Sequence, residues 1–276
     1  MPGMPRFTVI TPTWNSAKTL VRTLDSVRGQ TLRDYEHLVV DNASTDGTQQ
    51  LAANLHDARI RVISGPDRGL YDAMNKGIAA ARGELIAILN ADDVYADERV
   101  LADVEARFRE AGADAVYGDL NFINAHGQVK RTWISGPYSE ARWLAGWHPP
   151  HPAVFISRKA YASLAADRPL SLAADRPLSR EAGEGQGEGV FYDPGYKLAA
   201  DYKLLLTLGL RERAKFAYEP RVLVRMTLGG ASTRGAGAIL RGNREVLRAW
   251  KELGLKTPAL LIPRKLLYKL RGKLGK

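Results

Sequence analysis

Residues 84–93 read ELIAILNADD, an apolar run that ends in an amide and two adjacent carboxylates. The length of Leu85–Leu89 suits one buried strand. Asn90 follows the strand, and Asp92 and Asp93 then place two like charges at the edge of a core. Such charges repel each other unless a cation lies beside them. Because an Asp-Asp pair alone is more typical of a helix cap or a solvated turn, its meaning depends on its surroundings.

Strand patterns alternate with helix patterns on both sides of this run. The predicted strands are 7–11, 37–40, 59–63, 85–89 and 115–117, and the predicted helices are 16–29, 47–56, 70–81 and 99–111. Alternation of this kind builds βαβ units and a mainly parallel sheet with helices on both faces. The sequence therefore predicts an α/β fold.

Four of the predicted strands end in polar or acidic loops. These loops are Thr11–Asn15, Asp41–Asp46, Asp67–Arg68 and Asn90–Asp93. In an open α/β sheet, ligands bind at the carboxyl ends of the strands. Any one polar loop would be unremarkable, but acids in three of the four indicate a binding edge.

The second half of the chain has a different pattern. Residues 121–130 predict two short strands around a His-Gly turn, and the Pro-punctuated stretch 143–155 resists a regular assignment. The octapeptide SLAADRPL occurs at 163–170 and again at 171–178, so we expect 163–190 to be a flexible insert without chemistry. Residues 198–208 predict a helix and 217–226 a strand. The last forty or so residues are helical and basic.

Composition excludes several classes of site. The chain of 276 residues has no cysteine, so disulfides, zinc-thiolate sites and thiol nucleophiles are excluded. The apolar run near the N-terminus is too short for a secretory signal or a membrane span, which predicts a cytoplasmic protein. The net charge of +10 is uneven: from Tyr202 onward there are 18 Lys and Arg against 4 Asp and Glu, and before it 22 against 26. The basic part could face an anionic membrane, nucleic acid or a phosphorylated substrate.

Two familiar phosphate-binding loops are missing. Neither G-x-G-x-x-G after the first strand nor G-x-x-x-x-G-K-[ST] occurs, which argues against dinucleotide-binding dehydrogenases and P-loop enzymes. If carboxylates line a site for nucleotide phosphates, a divalent cation is needed between the two sets of negative charge. Mg²⁺ and Mn²⁺ are often held by one or two carboxylates with substrate phosphate completing the shell. Asp92 and Asp93 suit that role.

Six segments form an ordered set of motifs: TVITPTWN at 8–15, VVDNASTDGT at 39–48, DRGLYDAMNKGIAAARGELIAILNADD at 67–93, HPPHPAVF at 148–155, AADYKLLL at 199–206 and GGAS at 229–232. Together they resemble the family 2 glycosyltransferases of the GT-A fold, in particular those of bacterial surface polysaccharide assembly. They follow the family's order over residues 6–235, and 67–93 is the most distinctive. The insert at 163–190 departs from the pattern and affects the acceptor side.

The resemblance implies a donor site for a UDP, GDP or dTDP sugar and a divalent cation, Mn²⁺ or Mg²⁺. Asp41 would accept the N–H of the base, and Asp93 would bind the metal. Asp92 would contact the ribose or a water at the metal. The residues that would flank the sugar nucleotide are Thr11, Pro12, Asn15, Asp46, Asp67, Arg68, Asn75 and Lys76.

On the acceptor side, the resemblance implies that Asp201 deprotonates the acceptor hydroxyl in an inverting single displacement. From the residues alone, Asp201 would rather be a helix N-cap. His148 or His151 would lie near the diphosphate or the acceptor, with a purely structural role equally open. Pro149 and Pro150 make a helix unsuitable there, so a metal site shared by the two histidines is rejected. The acceptor would be a glycan or a lipid-linked glycan.

The basic tail allows two interpretations. Residues 258–276 mix leucines with cations, so this helix could lie on an anionic bilayer or pack on the domain with a solvated outer face. The first option would place the cytoplasmic protein peripherally on the inner face of the plasma membrane. We expect three parts: a nucleotide-sugar half at 1–120, an acceptor half at 121–235 and a helical extension at 236–276.

Two other functions compete with sugar transfer. A nucleotidylyltransferase would bring a Gly-rich basic loop after the first strand, and Pro12–Ser16 has neither character. A nucleic-acid-binding module is suggested by the basic C-terminal part. That part lacks a recognition motif and aromatic residues interleaved with its cations, so nucleic acid is not expected as a partner.

Overall fold

The computed structural model describes residues 4–166, 190–229 and 235–274. The chain divides into a first unit, Met1–Asp103 with Phe155–Pro194, and a second unit, Val104–Val154 with Gly195–Lys276. In chain order the strands and helices are β1 (Phe7–Thr13), α1 (Leu20–Arg28), β2 (Tyr35–Asp41), α2 (Thr48–Ala53), β3 (Ile60–Ser64), α3 (Leu70–Ala80), β4 (Leu85–Ile88), β5 (Val94–Tyr95), α4 (Val100–Ala111), β6 (Ala115–Ile123), β7 (Val129–Trp133), α5 (Glu140–Leu144), β8 (Val154–Ser157), α6 (Arg158–Ala166), α7 (Ala200–Leu206), β9 (Phe216–Thr227), α8 (Gly235–Glu252) and α9 (Leu261–Leu274).

The first unit is built on a mainly parallel sheet. Its strands lie in the order β3-β2-β1-β4-β8, with β1 parallel to β2 and β4, and β2 parallel to β3. All seven residues of β1 and all seven of β2 are buried, as expected for strands with both faces covered. Helix α3 packs against β1 and β2. The predicted α/β architecture is confirmed.

The last strand of this sheet was not predicted. β8 lies in the Pro-punctuated stretch that resisted assignment, and it pairs antiparallel with β4, Phe155 opposite Ala87. The ring of Phe155 packs edge-on against Phe7, with centroids 6.3 Å apart. A four-residue strand has too little pattern to be recognised beside prolines.

Helix α1 begins later than predicted. Asn15 has a left-handed φ of 47°, and the helix starts only at Leu20, whose N–H donates to the Ser16 carbonyl. The helix ends at Gly29 as expected. The residues assigned to its first turn belong instead to a polar loop after β1.

In the second unit, β6 pairs antiparallel with β7 and parallel with β9. The two segments predicted near 115 and 121 are one continuous strand, β6. Its hairpin with β7 turns at Gly127, where φ is 77°. The stretch around 143 forms helix α5, which buries Trp143 completely.

The basic C-terminal helices are part of the second unit. α8 buries Val246, Ala249 and Trp250, and α9 buries Leu261 and Lys265. The compact units therefore divide the chain differently from the predicted halves and extension. The first residues of the repeated octapeptide end α6, while residues 167–189 of the insert and most of the GGAS motif (230–232) lie outside the described residues.

The loop before β4 depends on a close backbone approach at Gly83. A Cβ at this position would lie 2.4 Å from the Phe7 carbonyl carbon and the Thr8 nitrogen of β1. We expect Gly83→Ala to lower the free energy of unfolding by about 1–3 kcal/mol, because backbone atoms of a central strand cannot move aside. Urea unfolding would measure it. Gly65→Ala is the matched control, because its Cβ would meet nothing within 4 Å, and equal effects of both substitutions would contradict this account.

Candidate functional site

The parallel strands bring three of the predicted loops to one edge of the first unit. Thr13, the last residue of β1, lies opposite Asp41, the last residue of β2, and Asp41 lies opposite Ser64 at the end of β3. The loop after β4 leaves the same edge, since β4 runs parallel to β1. The loops that were predicted to form a binding edge therefore leave from one edge of the sheet.

Asp41 is buried and its carboxylate accepts four hydrogen bonds. Oδ1 accepts from the hydroxyls of Thr13 at 2.9 Å and Ser44 at 2.5 Å, and Oδ2 accepts from the Ser44 N–H at 2.9 Å and the Ser64 hydroxyl at 3.2 Å. A carboxylate offers about four acceptor positions. A base N–H that binds Asp41 must therefore replace a hydroxyl or share an oxygen with it.

The loops after β1 and β2 are joined by hydrogen bonds. Asn15 receives the Thr45 N–H on its side-chain oxygen at 3.0 Å and donates its own N–H to the Ser44 hydroxyl at 2.8 Å. Asp46 accepts from the Ala17 N–H at 3.0 Å. Hydrogen bonds, the strongest from the Thr48 hydroxyl, lower the pKa of Asp46. Both predicted residues thus shape the loops of the binding edge.

Thr11 and Pro12 are buried within β1. The Thr11 hydroxyl lies 2.8 Å from Nε2 of His37, and burial lowers the pKa of that histidine to about 3. His37 is therefore neutral at physiological pH. Of the residues predicted in this segment, Asn15 lies in the loop, next to the exposed Trp14.

The loop after β3 is held by an amide that the sequence did not single out. The Asp67 N–H donates to Asn42 Oδ1 at 2.7 Å, and Asp67 Oδ1 accepts the Gly69 N–H at 2.8 Å. Burial raises the pKa of Asp67. The carboxylate and Asn42 together shape the turn that leads into α3.

The predicted cations of this block already have partners. Arg68, with a side chain that is 75% exposed, forms an ion pair with Asp72 at 3.2 Å. The Lys76 ammonium donates to the Pro66 carbonyl at 2.7 Å. To neutralise a diphosphate, Arg68 would have to turn away from Asp72. Its exposure leaves room for that.

Both polar atoms of the Asn75 side-chain amide form hydrogen bonds with the backbone that follows the insert. Its Oδ1 accepts the N–H groups of Phe191 at 3.0 Å and Tyr192 at 2.8 Å, and its Nδ2 donates to the Tyr192 carbonyl at 2.8 Å. The Tyr71 ring stacks on Tyr192, with centroids 5.7 Å apart. In this structure Asn75 therefore positions a chain segment.

The residues at the end of ELIAILNADD, Asn90 to Asp93, carry several side-chain oxygen atoms. Asp93 is 1% exposed, and its Oδ2 accepts from Asn90 Nδ2 at 3.1 Å. Thr23 donates its hydroxyl to the Asp93 carbonyl at 2.7 Å. Burial raises the pKa of Asp92. The Asn90 side-chain oxygen is buried without a hydrogen-bond partner.

These atoms fit a hard divalent cation. The carboxylates of Asp92 and Asp93 and the unpaired Asn90 oxygen are the ligand types that Mg²⁺ and Mn²⁺ prefer. Over the described ranges 4–166, 190–229 and 235–274, no three histidines or acids group into a metal site. A cation here would therefore depend on substrate phosphate for the rest of its shell.

The second unit carries the other predicted residues. Asp201 is the second residue of α7, and the N-cap of that helix is Ala199, so the interpretation of Asp201 as an N-cap is wrong. Burial lowers the pKa of His151, and the charge of Asp201 partly opposes that shift. The structure thus brings His151 and Asp201 within electrostatic reach, although 167–189 separate them in sequence.

His148 lies in an aromatic cluster. Its ring packs edge-on against Trp133 and Tyr202, both with centroids 5.3 Å away. Its Nδ1 is 3.0 Å from the Pro149 carbonyl oxygen, and since a carbonyl only accepts, Nδ1 carries a hydrogen. In the neutral ring the lone pair is then on Nε2.

Several residues that shape the predicted edge were not named as site residues, and all of them are small hydroxyl or amide residues. They are Thr13, Thr23, Asn42, Ser44, Thr45, Thr48, Ser64 and Asn90. Such residues favour local turns and caps, so the presence of four of them in NASTDG and NADD was a signal for loop geometry.

The opposite edge of this sheet has a cleft of about 510 Å³ near the amino ends of β2 and β3. It is lined by Asp25, Arg28, Gly29, Arg33, Leu55, His56, Asp57 and Arg59. Arg59 forms an ion pair with Asp57 at 2.6 Å. None of the predicted site residues lines this cleft.

Comparison with known sequences gives a family match. The sequence profile described as Glycosyl transferase family 2 matches residues 8–153. A PGL/p-HBAD biosynthesis glycosyltransferase of Mycobacterium bovis (strain BCG / Pasteur 1173P2) is 34% identical over 165 residues, 58% of this chain and 62% of that protein. Succinoglycan biosynthesis protein ExoO of Rhizobium meliloti (strain 1021) is 36% identical over 129 residues, 46% of this chain and 37% of that protein. The chain thus matches less than two thirds of the length of either relative.

Comparison with solved structures shows the same fold. S. aureus TarS in complex with UDP-GlcNAc superposes with a TM-score of 0.59 at 16% identity, covering 96% of this chain and 73% of that one. The mannosyltransferase PcManGT from Pyrobaculum calidifontis, in complex with GDP-Man and Mn²⁺, gives 0.52 at 20% identity, covering 100% and 77%. At these identities the likeness concerns the fold, and it confirms the predicted GT-A architecture.

The four hydrogen bonds of Asp41 predict how substitutions there behave. Asp41→Asn should change the free energy of unfolding little, because the hydroxyls of Thr13 and Ser44 can reverse and accept from the new amide. Asp41→Ala should cost about 1–3 kcal/mol more, since it leaves the partly buried Ser44 N–H without its acceptor. Urea unfolding measures both, with the exposed Asp34→Ala as control. Equal losses for the two Asp41 variants would contradict the network.

Proposed function

This chain belongs to glycosyl transferase family 2, and we propose that it transfers a sugar from a nucleoside-diphosphate sugar to a hydroxyl of a glycan or lipid-linked acceptor. The observation that carries the proposal is the set of acids at the carboxyl edge of the first unit: Asp41, Asp67, Asp92 and Asp93. Family membership also disfavours the nucleotidylyltransferase and nucleic-acid interpretations.

The donor would bind along this edge. Asp41 would accept the N–H of the base, which both uracil and guanine offer. Asn15 and Asp46 would hold the two loops in place, and Asp67 and Asp92 would lie along the ribose and diphosphate. Relatives of this fold bind UDP-GlcNAc and GDP-Man, so the base and the sugar stay open.

A divalent cation would be held by Asp93, with Asp92 and the Asn90 side-chain oxygen as further ligands. When bound, such an ion neutralises charge on the departing diphosphate. The Mn²⁺ in the PcManGT complex supports this choice of ion. With the ion bound, the carboxylates of Asp92 and Asp93 would repel each other less than they do without it.

The acceptor would be activated by Asp201. Its carboxylate would take the hydroxyl proton while the oxygen attacks the anomeric carbon and the bond to the diphosphate breaks. This single displacement inverts the anomeric configuration. Asp201 is not consumed as a helix cap, which supports the role. His148 and His151 would contact the acceptor or the diphosphate from the same unit.

The C-terminal helix α9 supports peripheral binding to an anionic bilayer. Its buried Leu261 and Lys265 pack into the second unit, whereas Leu260, just before the helix, Leu266 and Leu267 are 65%, 41% and 58% exposed. In the sequence, cations surround these leucines and no acid follows Glu252. Exposed leucines among Lys and Arg suit the headgroup region of anionic lipid. In the part of the chain that the structure describes, no helix combines the length and hydropathy needed to cross a bilayer.

Calorimetric titration with UDP, GDP and dTDP, each with and without Mn²⁺, tests the proposed donor and metal roles. We expect one nucleotide to bind more tightly with Mn²⁺. Asp93→Asn should lose the metal dependence, and Asp201→Asn should keep binding but lose at least about a hundredfold in turnover, the usual range for a general base. Asp34→Asn is the control. Absence of binding for all three nucleotides would refute the function, and the reverse pattern of the two variants would refute the assignment of roles.

Membrane binding is tested by sedimentation with vesicles of phosphatidylglycerol and phosphatidylcholine. The double variant Leu266→Asp, Leu267→Asp should weaken binding about tenfold or more, because it removes apolar area and adds negative charge. Val129→Asp, a surface residue of β7 that is 50% exposed, is the control. Binding that is unchanged in the double variant, or absent in the unaltered chain, would overturn this part of the proposal.

A further inference from the structure

Helix α8 carries a buried acid that reaches the backbone just before Asp201. Glu245 is 9% exposed, and its carboxylate accepts three backbone N–H groups. Oε1 accepts from Lys197 at 3.0 Å, and Oε2 accepts from Leu198 at 2.8 Å and Ala199 at 2.9 Å. One side chain thus fixes three consecutive peptide groups.

This contact holds the backbone that leads into α7. The N-cap of α7 is Ala199, which has no side-chain acceptor. Helices normally begin with Ser, Thr, Asp or Asn, whose side chains pair with backbone N–H groups of the first turn. Here the N–H groups that lead into the helix are paired from another helix, at the position where the positive end of the helix dipole also favours a carboxylate.

Other residues of α8 hold the same segment on both sides of Asp201. Arg248 donates to the Gly195 carbonyl at 3.1 Å, and the Trp250 indole donates to the Tyr202 hydroxyl at 2.9 Å. Glu252 accepts from the Tyr196 hydroxyl at 2.8 Å and the Lys203 ammonium at 2.6 Å. Backbone and side-chain hydrogen bonds therefore connect the segment around Asp201 to α8 from residue 195 to residue 203.

A general base works only within hydrogen-bond reach of the proton it removes, and a displacement of about 1 Å can lower a rate a hundredfold. Asp201 is two residues beyond the N-cap Ala199, whose N–H is the last group that Glu245 accepts. Any shift at 197–199 would pass directly to its carboxylate.

We propose that Glu245 is a positioning residue for Asp201, fixing the backbone that enters α7 so that the base meets the acceptor hydroxyl. The proposal rests on the proposed function, because it takes Asp201 as the base. It also assigns α8, which lies beyond the family match at 8–153, a part in the reaction.

Glu245→Gln tests the proposal with little change in volume. The amide can accept with one oxygen only, so hydrogen exchange at the N–H groups of 197–199 should become faster. With UDP-GlcNAc, GDP-mannose and dTDP-glucose as donors and water as acceptor, nucleoside diphosphate release should fall at least tenfold in kcat, while the Kd for the nucleoside diphosphate should stay within twofold. Arg244→Gln, an exposed neighbour on α8, is the matched control. Thermal unfolding confirms that both variants are folded.

A double-mutant cycle separates positioning from general support of the fold. In the Asp201→Asn background there is no base to position, so adding Glu245→Gln should leave the residual rate within twofold. A further tenfold loss there, or a kcat of Glu245→Gln within twofold of the unaltered chain, would overturn the proposal. Loss of donor binding in Glu245→Gln would also overturn it. If instead Asp201→Asn keeps full turnover, the base assignment of the proposed function fails, and the two failures are told apart.

Discussion

The register of β1 against β2 is the constraint on which the candidate donor site depends. It sets Thr13 opposite Asp41 at the end of both strands, and β3 continues the row with Ser64. Because the strands are parallel, every loop that follows them leaves from the same edge. A slip of one residue would turn Asp41 to the other face and remove the acceptor of four hydrogen bonds.

The acids of this edge form networks before any ligand arrives. Asp41, Asp46 and Asp67 each accept a backbone N–H group, which fixes the position of each carboxylate. Binding of a nucleotide would therefore exchange one set of hydrogen bonds for another. Because these side chains are already ordered, nucleotide binding would cost little conformational entropy. The entropy cost of ordering them is incurred when the protein folds.

The sequence predicted what depends on local pattern. Apolar runs ending in polar or acidic residues predicted β1, β2 and β4, and the same runs predicted the binding edge. It could not predict β8, which is short and beside prolines, or the late start of α1, where Asn15 and Ser16 bond to the second loop rather than cap a helix. Contacts between distant residues left no signal either. Asn75 bonds to Tyr192, and Glu245 bonds to 197–199. In both cases a side chain forms hydrogen bonds with backbone groups that are distant in the sequence.

A crystal structure of the chain grown with UDP, GDP or dTDP and Mn²⁺ tests the central claim most directly. This account predicts the nucleotide at the carboxyl edge of the first unit, with the base N–H on Asp41, a hydroxyl displaced from that carboxylate, and the ion on Asp93. A nucleotide bound in the arginine-lined cleft at the opposite edge, with the carboxyl edge empty, would contradict it.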